Sequence, residues 1–166
     1  MKIALREWTE ADIADVIRLT NDPEIPRWTR VPEPNTIETV SAWFASRPDD
    51  EWHLAVVDAE RGEVVGSVAL IRGDRDNGRA EIGYWVAAEH RGMGAASTAV
   101  AMVAERAFAA GWHRLELHID PDNAASRRVA EKAGFALEGV LRDYELIKDR
   151  RADVAMYARI ASPRNG

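Results

Sequence analysis

The chain has 166 residues, no cysteine and a net charge of −6, with 46% hydrophobic and 30% charged residues. These values predict one globular domain over residues 1–166 and exclude disulfides, thiolate metal sites and a cysteine nucleophile. The acidic balance disfavours nucleic acid and suits a cationic substrate, although solubility alone also accounts for it. No apolar run is long enough to cross a bilayer or to form a signal peptide, so we expect a cytoplasmic protein without a membrane partner.

The first part of the chain predicts one strand and two helices. Residues 2–8 alternate in polarity like a strand, and Thr9 is placed to cap a helix over about 10–20. Residues 21–35 contain four prolines, which predicts an irregular segment. Thr36 is placed to cap a second helix. The apolar face of that helix comprises Ile37, Val40, Trp43 and Phe44.

The middle of the chain predicts three strands in a meander, followed by a long helix. The strands cover about 52–59, 63–72 and 79–87, with glycine-containing turns between them. The helix covers about 94–110 and is rich in alanine. Gly111 follows it, in the position where a helix C-cap belongs.

The last part predicts a strand over about 112–119, a helix over about 124–133, and two strands over about 135–147 and 152–160. The element order is therefore β-α-α-β-β-β-α-β-α-β-β. Such an order is typical of a mixed sheet with helices on its faces, in an α/β or α+β layered domain.

The most informative segment is the glycine-containing loop at residues 91–96 (RGMGAA), where the third meander strand leads into the long helix. Helix N-termini carry unpaired N–H groups and a partial positive charge, and glycines let the backbone approach an anion. The junction is therefore a candidate phosphate or diphosphate site, although it matches neither a P-loop nor GxGxxG. Alone, such a loop more often marks a tight turn, and Arg91 fits a solvated surface charge.

Three linked blocks together resemble the GNAT superfamily of N-acetyltransferases. Residues 91–96 match its Arg/Gln-x-x-Gly-x-Gly/Ala motif, and residues 81–86 (EIGYWV) resemble the strand before it. Residues 123–135 resemble its second conserved block. The resemblance implies a mixed, mainly antiparallel seven-stranded sheet with helices on both faces. It also implies direct transfer of an acetyl group from acetyl-CoA, the cosubstrate, to a primary amine.

Later residues narrow the resemblance to one branch of that superfamily. Residues 138–142, together with Asp153 and Tyr157, resemble the RimJ/RimL-type enzymes, which acetylate the N-termini of ribosomal proteins. The resemblance covers nearly the whole chain. A homodimer is implied by this resemblance alone.

The resemblance places CoA at the loop and at the end of the preceding strand. It implies a β-bulge there that splays two strands apart, so that pantetheine pairs with exposed backbone and an N–H polarises the thioester oxygen. Asn123 is expected to touch CoA, and it also fits a helix cap. The cofactor-binding candidates are Trp85, Val86, Arg91, Gly92, Met93, Gly94, Ala95, Ala96, Asn123 and Ser126.

The candidate catalytic residues are Ser126, Glu145 and Glu81. Ser126 matches the serine proposed as general acid in RimJ/RimL-type enzymes, and a helix cap is its alternative role. Glu145 resembles the proposed base of that branch, whereas other GNAT branches place a base at Glu81; we favour Glu145. Either glutamate also fits the solvated face of a strand. Tyr84 and Tyr144 are alternative acids.

Trp28 and Tyr84 are the candidate acceptor-binding residues, with core packing as their alternative role. The family places acceptor contacts in the segment that contains Trp28. No metal is expected, because His113 and His118 are five residues apart on a strand, face opposite sides, and fit half-exposed structural positions.

Three functions stay open. Acetylation of a protein or peptide N-terminal amine is favoured. The alternatives are acetylation of a small amine, such as an antibiotic, a polyamine or an aminoacyl conjugate, and a non-catalytic CoA-binding module.

Overall fold

The computed structural model describes residues 1–162. The strands are β1 (Ile3–Glu7), β2 (Trp52–Asp58), β3 (Val64–Asp74), β4 (Arg79–Val86), β5 (Arg114–Ile119), β6 (Ala136–Ile147) and β7 (Arg150–Ile160). The helices are α1 (Ile13–Thr20), α2 (Glu24–Trp28), α3 (Ile37–Ser46), α4 (Ala95–Ala109) and α5 (Ala124–Lys132), with single 3₁₀ turns at Glu10–Asp12 and Ala88–His90. The strands form one seven-stranded sheet in the order β1-β2-β3-β4-β5-β7-β6. The predicted mixed sheet is confirmed.

Strands β4 and β5 diverge within the sheet. They are parallel, and their register runs only from Arg79↔Arg114 to Glu81↔Glu116. Beyond that point β5 follows β7, with which it pairs as far as Ile119↔Ala155. The rest of β4 and the end of β5 therefore border a slot, which leaves main-chain groups without a neighbouring strand on that side. This is the splay that the family resemblance implied.

The bulge expected near Trp85 and Val86 is not at that end of β4. The register with β3 is continuous from Gly66↔Val86 to Ile71↔Glu81. The irregularity lies at the other end of this pair, between Ile71 and Asp74, where Arg72 has a φ of 50°. The slot opens because β5 turns away with β7, so β4 needs no extra residue.

Helices cover both faces of the sheet, as predicted. On one face, the apolar side of α4, including Val100 and Val103, packs in one cluster with Leu115 and Leu117 of β5. On the other face, α1 and α3 pack over β2 in a second cluster that includes Trp8. Each valine or leucine fully buried in these layers stabilises the fold by about 1.5–3 kcal/mol. Within residues 1–162, no helix has the length and apolar character needed to cross a bilayer.

Two local predictions were wrong. The segment expected to be irregular contains helix α2, because Pro23 is its N-cap and Pro26 lies in its first turn, where helix N–H groups have no partner to lose. Ile37, expected on the buried face of α3, is 58% exposed as the first residue of that helix. The Thr36 cap is confirmed, since its hydroxyl accepts a hydrogen bond from the Thr39 N–H at 3.4 Å.

Candidate active site

The loop that leads into α4 is open to solvent. Gly92 and Gly94 have φ values of 76° and 83°, a region that favours glycine. A Cβ added at either position would meet no atom within 4 Å, so the main chain here faces open space. The free N–H groups at the start of this 15-residue helix thus fit a diphosphate.

The side chains of the expected cofactor residues differ in exposure. Arg91 and Met93 are exposed and Ala96 is half-buried, whereas the Ala95 side chain lies in the core. Ala95 therefore offers a ligand only its main chain. The Arg91 guanidinium is already engaged, because Nη2 forms an ion pair with Asp22 and Nε donates to the Val86 carbonyl at 3.2 Å. This pair joins the loop at residues 91–96 to the chain just before α2.

Side chains of β4 alternate between the two faces of the sheet beside the slot. Tyr84 and Val86 pack towards α4, whereas Trp85 lies on the opposite face and stacks on Trp8 with ring centroids 6.5 Å apart. Glu81 also lies on the face opposite Tyr84. The slot is therefore flanked by a tyrosine on one face and a carboxylate on the other.

Tyr84 and Ser126 meet on the α4 side of the slot. Tyr84 Oη lies 2.5 Å from Ser126 Oγ. Asn123 Oδ1 accepts the Ser126 N–H at 3.0 Å, so Asn123 caps α5. Burial raises the pKa of Tyr84 to about 12, although its hydrogen bond with Ser126 acts in the opposite direction. Tyr84 therefore keeps its phenolic proton over the whole neutral range.

On the other face, Glu145 of β6 lies at the centre of a charged cluster. Its Oε1 accepts hydrogen bonds from His118 Nδ1 at 2.7 Å and Arg72 Nη1 at 2.9 Å. Its Oε2 accepts one from Arg30 Nη2 at 2.7 Å. Glu81 Oε2 also accepts from Arg72 Nη1, at 2.9 Å. The structure thus brings the two candidate bases together through one arginine.

The two glutamates differ in acidity. Burial raises the pKa of Glu145, but the His118 hydrogen bond and the Arg30 and Arg72 charges outweigh burial and lower this pKa to about 2. Burial also raises the pKa of Glu81, and there the opposing charges of His118 and Arg72 do not compensate. Glu81 is therefore the stronger base of the two.

His118, like Arg30 and Arg72, is a residue of this cluster that the sequence did not single out. It was expected to be half-exposed, but its side chain is only 9% exposed, with Nδ1 beside Glu145 and Nε2 3.2 Å from Glu116 Oε2. Burial lowers its pKa, but these carboxylates and Glu81 raise it above the usual value. The alternation along β5 could have indicated this charged cluster, because Arg114, Glu116 and His118 occupy the face opposite its buried leucines.

Carboxylates on other strands lie beside His118, which the spacing of the histidines alone does not reveal. Ligand atoms of Glu81, His118 and Glu145 all lie within 4.8 Å of one another. Arg72 pairs with both glutamates and Arg30 with Glu145, so cations of the chain itself lie against these carboxylates.

A cavity of about 520 Å³ opens over this cluster. Its wall includes Glu81, Glu145 and Tyr144. The segment after α1 contributes Arg30 to the wall, not Trp28. The Trp28 Nε1 donates instead to Glu24 within α2, at 3.0 Å.

The family model of the acetyltransferase (GNAT) domain matches residues 2–136. The uncharacterized N-acetyltransferase p20 of Bacillus licheniformis is 30% identical over 164 residues, which cover 95% of this chain and 92% of that protein. The ribosomal-protein-serine acetyltransferase of Escherichia coli is 37% identical over 99 residues, which cover 59% of this chain and 55% of that protein.

Two solved structures extend the likeness to the whole fold. RimJ of Mycobacterium smegmatis, in complex with CoA-disulfide, has a TM-score of 0.80 and 27% identity, over 99% of this chain and 84% of that chain. The spermidine N-acetyltransferase of Vibrio cholerae, in complex with CoA and spermine, has a TM-score of 0.82 over 96% of this chain and 95% of that chain. Its identity is 24%, so this second likeness concerns the fold.

Proposed function

This chain belongs to the GNAT family of acetyltransferases and is an acetyl-CoA-dependent N-acetyltransferase, and on that premise we propose that its acceptor is the α-amino group of a peptide or protein N-terminus. The similarity to the ribosomal-protein-serine acetyltransferase of Escherichia coli supports this acceptor. The cavity also supports it, because rim residues such as Arg30 and Tyr144 are 41% and 50% exposed. A chain that continues into solvent fits so open a site better than a small amine, which usually needs an enclosed pocket.

The slot between β4 and β5 is the observation that carries the proposed mechanism. Acetyl-CoA would lie on the α4 side, with its diphosphate on the main-chain N–H groups of residues 91–96 and its thioester beside Trp85 and Val86. A main-chain N–H bordering the slot would stabilise the negative charge on the thioester oxygen. The amine would approach from the cavity on the opposite face.

We propose Glu81 as the general base in place of Glu145. The amine must lose a proton as it attacks the thioester carbon, and a base works best with a pKa near the working pH. Glu81 has the raised pKa, whereas Glu145 stays ionised and is held by Arg30, Arg72 and His118. In this arrangement, Glu145 positions Arg72 and His118 around Glu81.

We propose the Tyr84–Ser126 hydroxyl pair as the acid. The C–S bond breaks as the tetrahedral intermediate collapses, and the sulfur takes up a proton as it leaves. A phenol is a stronger acid than an alcohol, so Tyr84 is the direct donor and Ser126 orients it through their 2.5 Å contact.

Turnover of acetyl-CoA with peptides tests this function. We expect peptides with a free N-terminus to be acetylated and N-terminally blocked copies to be inert. Glu81→Gln should lower kcat by ~100-fold or more and leave CoA binding by calorimetry unchanged. Glu63→Gln, an exposed glutamate in the β2–β3 turn, is the matched control.

The pH profile separates the two glutamates. Since ionised Glu81 is the active form, kcat/KM should rise with pH through its raised pKa, and Glu81→Gln should abolish that limb. If Glu145→Gln abolishes the limb and Glu81→Gln does not, the assignment of the base is wrong. Turnover of polyamines alone would contradict the acceptor.

A further inference from the structure

We propose that the acceptor carries a carboxylate close to its reacting amine, and that Arg30 and Arg72 bind this carboxylate at the rim of the cavity. The inference rests on the proposed function, since it concerns the same cavity. It narrows the acceptor to amines that have an acidic group beside them.

The charges in this cavity form two layers. The carboxylates form the floor, since the side chains of Glu81 and Glu145 are 13% and 10% exposed. The guanidinium groups form the rim, since Arg30 and Arg72 are 41% and 42% exposed. A substrate that matches both layers has its ammonium group inside and a negative group further out.

Both arginines keep hydrogen-bond donors for such a group. Within residues 1–162, the Arg30 side chain hydrogen-bonds through Nη2 to Glu145, and the Arg72 side chain through Nη1 to Glu145 and Glu81. A guanidinium presents five N–H donors in a planar fork that suits a carboxylate. Arg79, the other rim arginine, is paired with Asp74 at 3.1 Å.

The two arginines are held in place from separate parts of the fold. Arg72 lies at the irregularity of β3, where its main-chain N–H donates to Glu51 Oε1 at 3.1 Å. Arg30 follows α2, which is tied to the far hairpin because Lys148 Nζ donates to the Pro26 carbonyl at 2.6 Å. Glu145 accepts from both guanidinium groups. The two guanidinium groups at the rim are thus already held in place, so binding of a carboxylate costs little side-chain entropy.

This arrangement discriminates between classes of amine. A linear polyamine would bring further ammonium groups against the arginines, and this repulsion disfavours it. A peptide with an acidic residue near its N-terminus provides the matching pair of charges. A free amino acid does so too, through its own carboxylate.

Competition between acceptors on one enzyme tests the inference. Peptides that begin Ser-Asp, Ser-Asn and Ser-Lys vary the charge beside a constant amine. A comparison of free serine with serinamide tests whether an α-carboxylate can supply the negative group. We expect kcat/KM for Ser-Asp to exceed that for Ser-Asn by about tenfold, the effect of one charge-assisted hydrogen bond, with Ser-Lys the poorest peptide. The preference should shrink as salt is added.

Variants show whether the arginines cause this preference. Arg30→Gln should lower the Asp/Asn ratio, with Arg72 keeping part of the preference, and Arg30→Glu should favour Ser-Lys. Because each ratio compares two acceptors on the same variant, a general loss of folded enzyme leaves it unchanged. Arg61→Gln, an exposed arginine in the β2–β3 turn, is the matched control and should keep the wild-type ratio.

The failures of the two proposals are distinguishable. Equal kcat/KM for the three peptides, or an unchanged ratio in Arg30→Gln, would overturn this inference and leave N-terminal acetylation intact. Turnover of free serine but of no peptide would overturn the peptide acceptor and keep the carboxylate requirement. A preference for spermidine over all peptides would overturn both.

Discussion

Tyr84 and Ser126 share a hydrogen bond of 2.5 Å that joins strand β4 to the first turn of α5. The phenol comes from the strand beside the slot, and the alcohol from a helix capped by Asn123. The pair therefore depends on two elements, and its two residues are 42 positions apart in the chain. A displacement of α5 would alter the direction in which the Tyr84 proton points.

We expect these two hydroxyls to act as one unit. Tyr84→Phe should lower kcat by ~100-fold through loss of the acid, and Ser126→Ala by about tenfold through loss of its orientation. The double variant should cost no more than Tyr84→Phe alone. Steady-state kinetics of the four proteins measure this, with CoA affinity from calorimetry. If the effects of the two single substitutions on kcat multiply in the double variant, the two hydroxyls do not act as one unit. Ser41→Ala, on the exposed face of α3, is the control.

Substitution of Gly94 tests whether the loop at residues 91–96 binds CoA. Gly94→Glu should raise the Kd for CoA at least tenfold, because its side chain and charge would occupy the diphosphate site. Gly62 has a similar φ of 73°, and an added Cβ there also meets nothing within 4 Å. Both variants should thus lose about 1 kcal/mol of stability from the left-handed backbone. Gly62→Glu should keep the wild-type affinity for CoA. If Gly94→Glu also binds CoA normally, the diphosphate does not bind at this loop.

Glu145 should make stability depend on pH in acid. Its folded pKa of about 2 lies below the unfolded value, so its contribution is complete above pH ~4.5 and is lost as pH falls towards 2. Glu145→Gln should lose about 1–2 kcal/mol at pH 7, less than the pKa shift implies, because Arg30 and Arg72 are partly in solvent. Urea unfolding at pH 7, 5 and 3 measures the difference, which should narrow as pH falls. A constant difference would contradict this role.

The Asp22–Arg91 pair should compete with CoA. A diphosphate that binds Arg91 must replace Asp22 as its partner, so Asp22→Asn should lower the Kd for CoA by about threefold. Arg91→Ala should raise the Kd for CoA. In the Arg91→Ala background, Asp22→Asn should no longer lower the Kd. Calorimetry on the three variants measures this cycle. Equal effects of Asp22→Asn with and without Arg91 would show that the pair does not govern CoA binding.

Much of the fold followed from local patterns in the sequence. The strands β2, β3 and β4 were located to within about two residues, because glycine and asparagine turns bound them and their apolar residues are nearly continuous. Strand β7 begins at Arg150, two residues before its predicted start. Lys148 and Asp149 both have positive φ, 47° and 63°, and so close a two-residue hairpin turn.

The site was less predictable, because its contacts join distant strands. Nothing near His118 in the sequence shows that Glu145 will lie 2.7 Å from its ring. The same holds for Arg30 and Arg72, whose shared partner is Glu145. The relative acidity of Glu81 and Glu145 depends on these cations, so the preference for one base over the other required the structure. The glycines of the loop, by contrast, were recognisable because their backbone requirement is local.

The divergence of β4 from β5 makes the sheet a partition with an opening in it. In the proposed arrangement, the nucleotide half of the donor would lie on one side of this partition and the body of the acceptor on the other, and only their reacting ends would need to meet. A folded protein could therefore be modified without docking against the helix that holds the cofactor, provided that its first residues extend far enough to reach the gap. Selection among cellular proteins would then depend on how far the N-terminal residues of each protein extend from its folded part, more than on the shape of its surface.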